Sequence, residues 1–269
     1  MEKKLAVMVI HGMGTQQPDF ADGMIEEING RIAAAGRDPA KIAWQPAYWS
    51  DILAPRETAF LKRARKQGDL DYIGLRRFVL GALGDASAYQ KVDSSDNSTY
   101  VQIHTRLGEA ITRLYQEGLG GSPKPLVIMA HSLGGHIMSN YIWDMQKPGA
   151  GSGLSPFERL HWLAGIITFG CNIPLFTFAY EEVRAIRFPP RQLSPVLKTL
   201  ARWNNYYDPD DVLGYPLRPI SASYRETVNK DIAINVGSIL SSWNPMSHSG
   251  YWTDNDFTRA AATQLLHFL

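Results

Sequence analysis

The sequence predicts an α/β fold, in which a mostly parallel sheet carries helices on its faces. A strand, a helix and a second strand follow one another over residues 5–44, which is the order typical of such sheets. The apolar run 126–130 leads through a turn of small residues into an amphipathic segment, 136–145, and this predicts a buried strand followed by a helix. Residues 166–169 predict a further buried strand.

The N-terminal half begins with a continuous apolar strand, residues 5–10, that breaks into a glycine-containing turn. Ile25, Ile28 and Ile32 share one face of the following helix, and Gly36 is placed to end it. A short strand is predicted over 42–44, and a helix over about 99–118. Between them, residues 45–98 have no clear pattern, because three glycines weaken the second of the two helices that we predict there.

The C-terminal half continues the same alternation. A surface loop over 147–156 precedes the strand at 166–169, and further strands are predicted over 201–207 and 232–236. A helix from about Asp254 closes the chain. We therefore expect a single domain, 1–269, with cap or lid insertions at about 45–98 and at 171–195, an aromatic and irregular stretch.

Composition narrows the functional classes. The chain has 269 residues, with 27 Lys+Arg against 26 Asp+Glu, so no overall charge favours a nucleic-acid partner. Its one cysteine, Cys171, excludes an intrachain disulfide and fits a reducing compartment. No apolar run reaches the roughly 18 residues of a transmembrane helix. We expect a cytoplasmic protein, and the sequence does not indicate how many copies of it associate.

Ser132 lies at the predicted turn from strand to helix. The surrounding residues, Ala130-His131-Ser132-Leu133-Gly134, match the G-x-S-x-G pattern of a nucleophile elbow, with alanine at the first position. In that turn a strained serine projects its hydroxyl at the head of a helix, whose amides favour a developing anion. The sequence therefore predicts a serine nucleophile.

A serine of this kind needs a histidine base and a carboxylate that orients the histidine. His248 lies in a polar loop between the last predicted strand and the last helix, and it is the predicted base. His131, beside the serine, is expected to point away from it. Asp208, Asp210 and Asp211 follow the strand 201–207 at the same sheet edge. We favour Asp211 as the acid, with Asp208 as the second candidate.

Two backbone amides are predicted to stabilise the oxyanion that forms when the serine attacks a carbonyl group. One is the amide of Leu133, directly after the nucleophile. The other is the amide of Met13, in the turn His11-Gly12-Met13-Gly14 that follows the first strand.

Taken together, H-G-M-G, A-H-S-L-G-G, D-P-D-D-V and S-H-S-G-Y-W, in that order along the chain, resemble the α/β-hydrolase superfamily, on its lipase and carboxylesterase side. The resemblance implies a mostly parallel sheet of about eight strands with helices on both faces and a helical lid or insertion. It also implies a Ser-Asp-His triad, here Ser132, Asp211 and His248, and no cofactor.

Other sites match the sequence poorly. A dinucleotide motif that begins at Gly12 would need glycine at Gln17, and an EF-hand loop that begins at Asp208 would need glycine at Leu213. Since H-E-x-x-H and paired C-x-x-C motifs are also absent from the sequence, we predict no metal.

Two classes of function remain open. The first is a serine hydrolase that cleaves small-molecule or lipid-like carboxylic esters through an acyl-enzyme, with an acyltransferase as a variant that uses the same triad. The second is a non-catalytic binding or scaffold protein that keeps the fold. Aromatic residues of 171–188, with Tyr48, Trp49, Trp243, Tyr251 and Trp252, are candidates to line an apolar acyl pocket.

Overall fold

The structure is a computed structural model that describes residues 2–68, 70–90, 98–236 and 247–269. Its centre is a parallel sheet in the order β2-β1-β3-β4-β5-β6. The strands are β1 Leu5–Ile10, β2 Ile42–Ala47, β3 Leu126–His131, β4 Leu163–Phe169, β5 Arg202–Tyr207 and β6 Lys230–Ala233. The predicted α/β class is therefore confirmed. The expected strand number is wrong, since the described residues form six strands and not about eight.

The helices connect these strands and cover the sheet. Those with regular α-helical geometry in the described ranges are α1 Asp22–Ala34, α2 Ala54–Gln67, α3 Ile73–Ala88, α4 Thr99–Arg113, α5 Leu133–Met145, α6 Ile173–Thr177, α7 Pro195–Leu200, α8 Ala222–Thr227 and α9 Asn255–Leu266. Among them, α2 and α3 lie within the predicted insertion 45–98, whereas 171–195 contains only the short α6 and irregular chain up to α7.

Helices lie on both faces of the sheet because its central strands are apolar on both sides. Every residue of β1, β3 and β4 is buried. On one face, Met8 and Ile128 belong to the same core as Ile103 of α4 and Ile137 of α5. On the other face, side chains of α1 and α9 form a second core with the alternate strand residues. This pattern of continuous burial is typical of parallel sheets.

Some element boundaries differ from the prediction. The last strand ends at Ala233, and Val236 lies beyond it because the Val236 amide donates to the Asp208 carboxylate at 2.7 Å instead of continuing the ladder. The predicted helix 99–118 becomes a π-turn over Leu114–Gly118 in its last part. The predicted helix of 136–145 begins earlier, at Leu133.

The direction of the chain places three turns at one edge of the sheet. In the sheet, β2 lies on one side of β1 and β3 lies on the other. The turns after β1 and β3 therefore lie side by side where the strand order reverses, which is the usual position of a site in an open α/β sheet. The loop after β5 reaches the same edge. Within the described ranges, no helix has both the length and the apolar character to span a bilayer.

Candidate active site

Ser132 occupies a strained turn between β3 and α5. Its backbone has φ 52° and ψ −126°, a combination that non-glycine residues adopt rarely and at a cost of about 1–3 kcal/mol. The turn after β1 lies directly against it, since a Cβ atom added to Gly12 would be 2.5 Å from the Ser132 Cβ. The predicted elbow thus exists as a backbone conformation, and Gly12 leaves space for the serine.

Gly134 and Gly135 explain why small residues follow the serine. A Cβ atom at Gly134 would lie 2.5 Å from the carbonyl oxygen of His11, and one at Gly135 would lie 2.5 Å from the Cys171 sulfur. Both contacts are closer than packed atoms allow. Because neither glycine has a side chain, the first turn of α5 approaches the ends of β1 and β4, and the head of the helix reaches the edge of the sheet.

Ser132, His248 and Asp211 are joined by hydrogen bonds. The Oγ of Ser132 lies 2.6 Å from Nε2 of His248, and Nδ1 of His248 lies 2.8 Å from Oδ2 of Asp211. Because a carboxylate only accepts, Nδ1 carries the proton, and Nε2 is left as an acceptor for the serine hydroxyl. The structure thus brings together the three side chains that the sequence selected, in the tautomer that a general base requires.

The Asp211 carboxylate is held by further donors. The Tyr251 hydroxyl donates to Oδ2 at 3.0 Å, and the Leu213 amide donates to Oδ1 at 3.0 Å. Burial acts to raise the pKa of Asp211, but the hydrogen bond and charge of His248, with the Leu213 and Tyr251 donors, hold the pKa below its usual value. Asp211 therefore remains ionised beside the imidazole at neutral pH.

Asp208, the second candidate acid, has a different partner set. Its Oδ2 accepts from the Val236 amide at 2.7 Å, and its Oδ1 accepts from the Asp210 amide at 2.8 Å. These bonds direct its carboxylate to the backbone of its own loop and of the segment after β6. Asp210 is exposed, so Asp211 is the aspartate of this loop that contacts the histidine.

A hydrogen bond from the His131 side chain holds the backbone of His248. The Nε2 of His131 donates to the carbonyl oxygen of His248 at 2.8 Å. Burial, together with the proximity of His248, lowers the pKa of His131 to about 3, so this imidazole is neutral. The sequence predicts a polar loop here, whereas in the structure His248 is buried within the 3₁₀ helix Ser247–Thr253.

The two predicted oxyanion donors lie in the turns that flank Ser132. In the part of the chain that the structure describes, the amides of Met13 and Leu133 have no hydrogen-bond acceptor. The carbonyl oxygen of Gly12 accepts from Nδ1 of His11 at 2.8 Å, and Nε2 of His11 accepts from the Trp49 amide at 3.0 Å. The His11 side chain thus holds the first residues of the turn in place, and the Met13 amide remains available as a hydrogen-bond donor.

Sequence reasoning missed the roles of His131 and Tyr251. Tyr251 was a candidate for a substrate pocket, but it is buried, and its hydroxyl accepts from the Asp208 amide at 2.8 Å while donating to Asp211. Its spacing of three residues from His248 is the signal that, in a 3₁₀ turn, places both side chains on one face.

The predicted pocket aromatics are scattered. Trp49 is buried and stacks on His11, with 4.7 Å between ring centroids, and Phe176 stacks on His136 at 4.1 Å. Phe178 is 84% exposed, and Trp243 lies outside the described residues. Ser132 itself has no exposed surface.

Tyr251→Phe tests the support of Asp211. The substitution removes one hydrogen bond to a charged acceptor, worth about 1.5 kcal/mol, so we expect kcat for an ester to fall about tenfold. The Asp208 amide also loses its acceptor, and the free energy of unfolding should fall by about 1–3 kcal/mol. Steady-state kinetics and urea unfolding measure both effects. Tyr206→Phe, at a buried tyrosine on β5, is the control, and equal losses in the two variants would contradict the assignment.

Neither a second activated nucleophile nor a set of metal ligands lies among the described residues near the site. Cys171 is buried against Gly135, and burial raises the pKa of its thiol to about 12, which keeps it protonated and a weak nucleophile. Among the described residues, no group of three histidine, cysteine or acidic side chains is arranged to hold a metal ion.

The fold type follows from the sheet and the serine turn together. A parallel sheet, a strained serine between β3 and α5, and the chain order Ser132, Asp211, His248 are the features that distinguish one hydrolase architecture from other α/β sheets. The chain has an α/β fold in which helices flank a parallel sheet. Comparisons with protein-family models and with curated proteins gave no match.

Comparison with solved structures finds distant likenesses. A protein assigned to the hydrolases of the alpha/beta superfamily, from Xanthomonas campestris pv. campestris, is 12% identical with a TM-score of 0.42, over 98% of this chain and 99% of that one. A lipase-esterase related protein from Clostridium acetobutylicum is 7% identical with a TM-score of 0.42, over 100% and 96%. A protein assigned as a carboxylesterase, from Lactobacillus plantarum, is 16% identical with a TM-score of 0.40, over 91% and 84%. Similarity at this level does not assign an activity to the chain.

Proposed function

We propose that this protein is a serine hydrolase of the α/β-hydrolase superfamily that cleaves carboxylic esters of small-molecule or lipid-like substrates. Ser132 is the nucleophile, His248 the general base and Asp211 the residue that orients His248. The amides of Met13 and Leu133 form the oxyanion hole. The observation that carries the proposal is the continuous relay from Ser132 through His248 to Asp211, at 2.6 Å and 2.8 Å, on a backbone strained at the serine.

In the acylation step, Oγ of Ser132 forms a bond to the ester carbonyl carbon while its proton moves to Nε2 of His248. The carbonyl oxygen becomes an oxyanion that accepts hydrogen bonds from the Met13 and Leu133 amides. When the tetrahedral intermediate collapses, the bond to the alkoxy group breaks, and the leaving oxygen takes the proton from Nε2. The products of this step are an alcohol and an acyl-Ser132 ester.

In the deacylation step, water attacks the acyl carbon while His248 takes one of its protons at Nε2. The bond from the acyl carbon to Oγ of Ser132 then breaks, and Oγ recovers the proton from His248. The carboxylic acid leaves and the enzyme returns to its initial state. Asp211 stays ionised throughout and stabilises the imidazolium that forms in each step.

The non-catalytic alternative is less well supported by the site. A scaffold protein would have no need for a strained serine, a histidine in the base tautomer and two amides without acceptors at the same edge of the sheet. Functional sites are where such strain and buried polar relays are retained. An acyltransferase would use the same acylation step, with an alcohol or thiol in place of water.

Covalent labelling tests the proposal. A fluorophosphonate probe should label the wild-type protein at one position, which mass spectrometry of the digested protein should identify as Ser132. Ser132→Ala should remain unlabelled, and Ser139→Ala, at a buried serine of α5, should be labelled as wild type is. A panel of esters, amides and thioesters, assayed with wild type and Ser132→Ala, identifies the bond that is cleaved. A wild-type protein that neither reacts with the probe nor hydrolyses an ester would overturn the proposal.

A further inference from the structure

The insertion 45–98 contacts the turn that holds the Met13 amide. A Cβ atom added to Gly81 of α3 would lie 3.1 Å from the Cα of Gly14, and one added to Gly84 would lie 2.9 Å from Oε1 of Glu57 on α2. The two glycines are three residues apart and so share one helix face. In the sequence they weaken the predicted helix, but in the structure they let α3 approach the turn closely.

Asp85 follows Gly84 and bonds to this turn. Its Oδ2 accepts a hydrogen bond from the Gly14 amide at 2.7 Å, and its side chain is buried, with 2% of the residue exposed. Gly14, at φ 85°, comes directly after Met13. A carboxylate that lies 71 positions away in sequence therefore holds the peptide group next to the proposed oxyanion donor.

Glu57 places a second carboxyl group beside Asp85. Its Oε1 is buried without a hydrogen-bond donor from any described residue. Burial and the neighbouring Glu57 charge together raise the pKa of Asp85 to about 7, although the Gly14 amide acts to lower it. Burial also raises the pKa of Glu57. A buried carboxyl group beside a half-buried one is satisfied when the two share one proton, because the protonated group then donates to the other.

We propose that Asp85 is a positioning residue for the oxyanion hole, which holds the Gly12–Thr15 turn through the Gly14 amide, and that Glu57 shares a proton with it. The inference rests on the proposed hydrolase function. It assigns a catalytic purpose to the insertion: α2 and α3 supply the two carboxyl groups, and through them the insertion sets the geometry of the turn after β1.

The turn needs such support because of its composition. Glycines on both sides of Met13 lose more conformational entropy on ordering than other residues do, so the peptide groups of this turn are intrinsically mobile. His11 fixes the Gly12 carbonyl, and Asp85 fixes the Gly14 amide. With both sides held, the Met13 amide keeps one direction, and a preorganised donor stabilises an oxyanion better than a mobile one.

Burial and the mutual repulsion of the two carboxylates raise the pKa of the pair, while four cations lie in the neighbouring cavity. From α2, Lys62, Arg65 and Lys66 line the cavity that Glu57 also lines, and Arg77 does so from α3. The turn itself contributes the uncharged Thr15. Below about pH 7 the pair keeps its proton, and above it both carboxylates are ionised and repel each other. Hydrolysis should therefore weaken as the pH rises above that value.

Kinetics of three variants test the inference. Asp85→Ala removes the acceptor, and we expect kcat to fall by about 10- to 100-fold, somewhat less than the loss of an oxyanion donor itself, with KM nearly unchanged. Asp85→Asn keeps an oxygen acceptor for the Gly14 amide and should retain most of the wild-type kcat at pH 7. Asp85→Asn and Glu57→Gln should both lack the alkaline decline of the wild type. Asp71→Ala, an exposed acid before α3, is the control.

Two results would overturn the inference: a kcat of Asp85→Ala equal to that of wild type, or a kcat of Asp85→Asn as low as that of Asp85→Ala. A purely structural effect would lower stability in proportion to kcat and leave the pH profile unchanged, so urea unfolding of each variant is measured alongside the kinetics.

The amide resonance of Gly14 gives a readout that is independent of hydrolysis. In ¹⁵N-labelled wild-type protein its chemical shift should titrate near pH 7, and in Glu57→Gln it should stay constant over that range. An invariant Gly14 resonance in a wild-type protein that hydrolyses esters would overturn the inference and leave the proposed function intact. A wild-type protein that neither hydrolyses esters nor reacts with the fluorophosphonate would overturn both.

Discussion

Ser132→Ala is expected to lower kcat for ester hydrolysis by about 10⁶-fold, and adding His248→Ala to it should cost almost nothing more. The reason is that the serine and histidine act as one unit, joined by the 2.6 Å contact between Oγ and Nε2. Once the nucleophile is missing, a base has no proton to accept. Steady-state kinetics of wild type, the two single variants and the double variant measure the effect, with Ser139→Ala as the control.

Non-additivity is the decisive feature of this comparison. If the losses from Ser132→Ala and His248→Ala multiplied in the double variant, the two residues would act independently, which contradicts the proposed relay. Urea unfolding of all variants separates this outcome from a general loss of structure, since both side chains are buried.

Asp211→Asn is expected to lower kcat by about 10⁴-fold, the cost of presenting histidine with an amide that no longer fixes its tautomer. The introduced amide would occupy the same space as the carboxylate but would lack the charge that stabilises the imidazolium. Asp208→Asn should change kcat by less than about tenfold, because Asp208 bonds to the Val236 and Asp210 amides and not to His248. Kinetics with one ester at one pH compare the two variants directly.

For Asp208→Asn we expect a loss of stability and not a large loss of kcat. The side-chain nitrogen of asparagine cannot accept a hydrogen bond, so Asp208→Asn leaves one of the Val236 and Asp210 amides without an acceptor, and we expect the free energy of unfolding to fall by about 1–3 kcal/mol. A larger loss of kcat in Asp208→Asn than in Asp211→Asn would transfer the role of the acid to Asp208 and contradict the geometry at His248.

The fold class was predictable because it depends on local patterns. Continuous apolar runs at β1, β3 and β4 and a periodic helix after β3 are visible in the sequence, and the α/β class that they predict is confirmed by the sheet. The strand number was wrong because it was implied by the family resemblance and not by local patterns. The end of β6 was misplaced because Val236 is apolar, yet its amide is engaged by Asp208 and not by the neighbouring strand.

The candidate site was predictable to the extent that chain order restricts it. The elbow pattern selected Ser132, and the position of His248 after the last strand selected the histidine. Between Asp208 and Asp211 the sequence offered only a preference, since both follow the same strand. Their difference lies in which amide and which ring each carboxylate contacts, and these partners come from segments that are distant in sequence.

By itself, the sequence determined the parallel sheet, the turn at Ser132 and a short set of residues for the candidate site, because strand burial, glycine placement and chain order are properties of neighbouring residues. Only the tertiary structure decided that Asp211 faces His248, that Tyr251 and His131 hold this pair, and that Asp85 reaches the Gly14 amide. Hydrogen bonds between distant segments depend on how helices and loops pack over the sheet edge, and no local pattern encodes that packing.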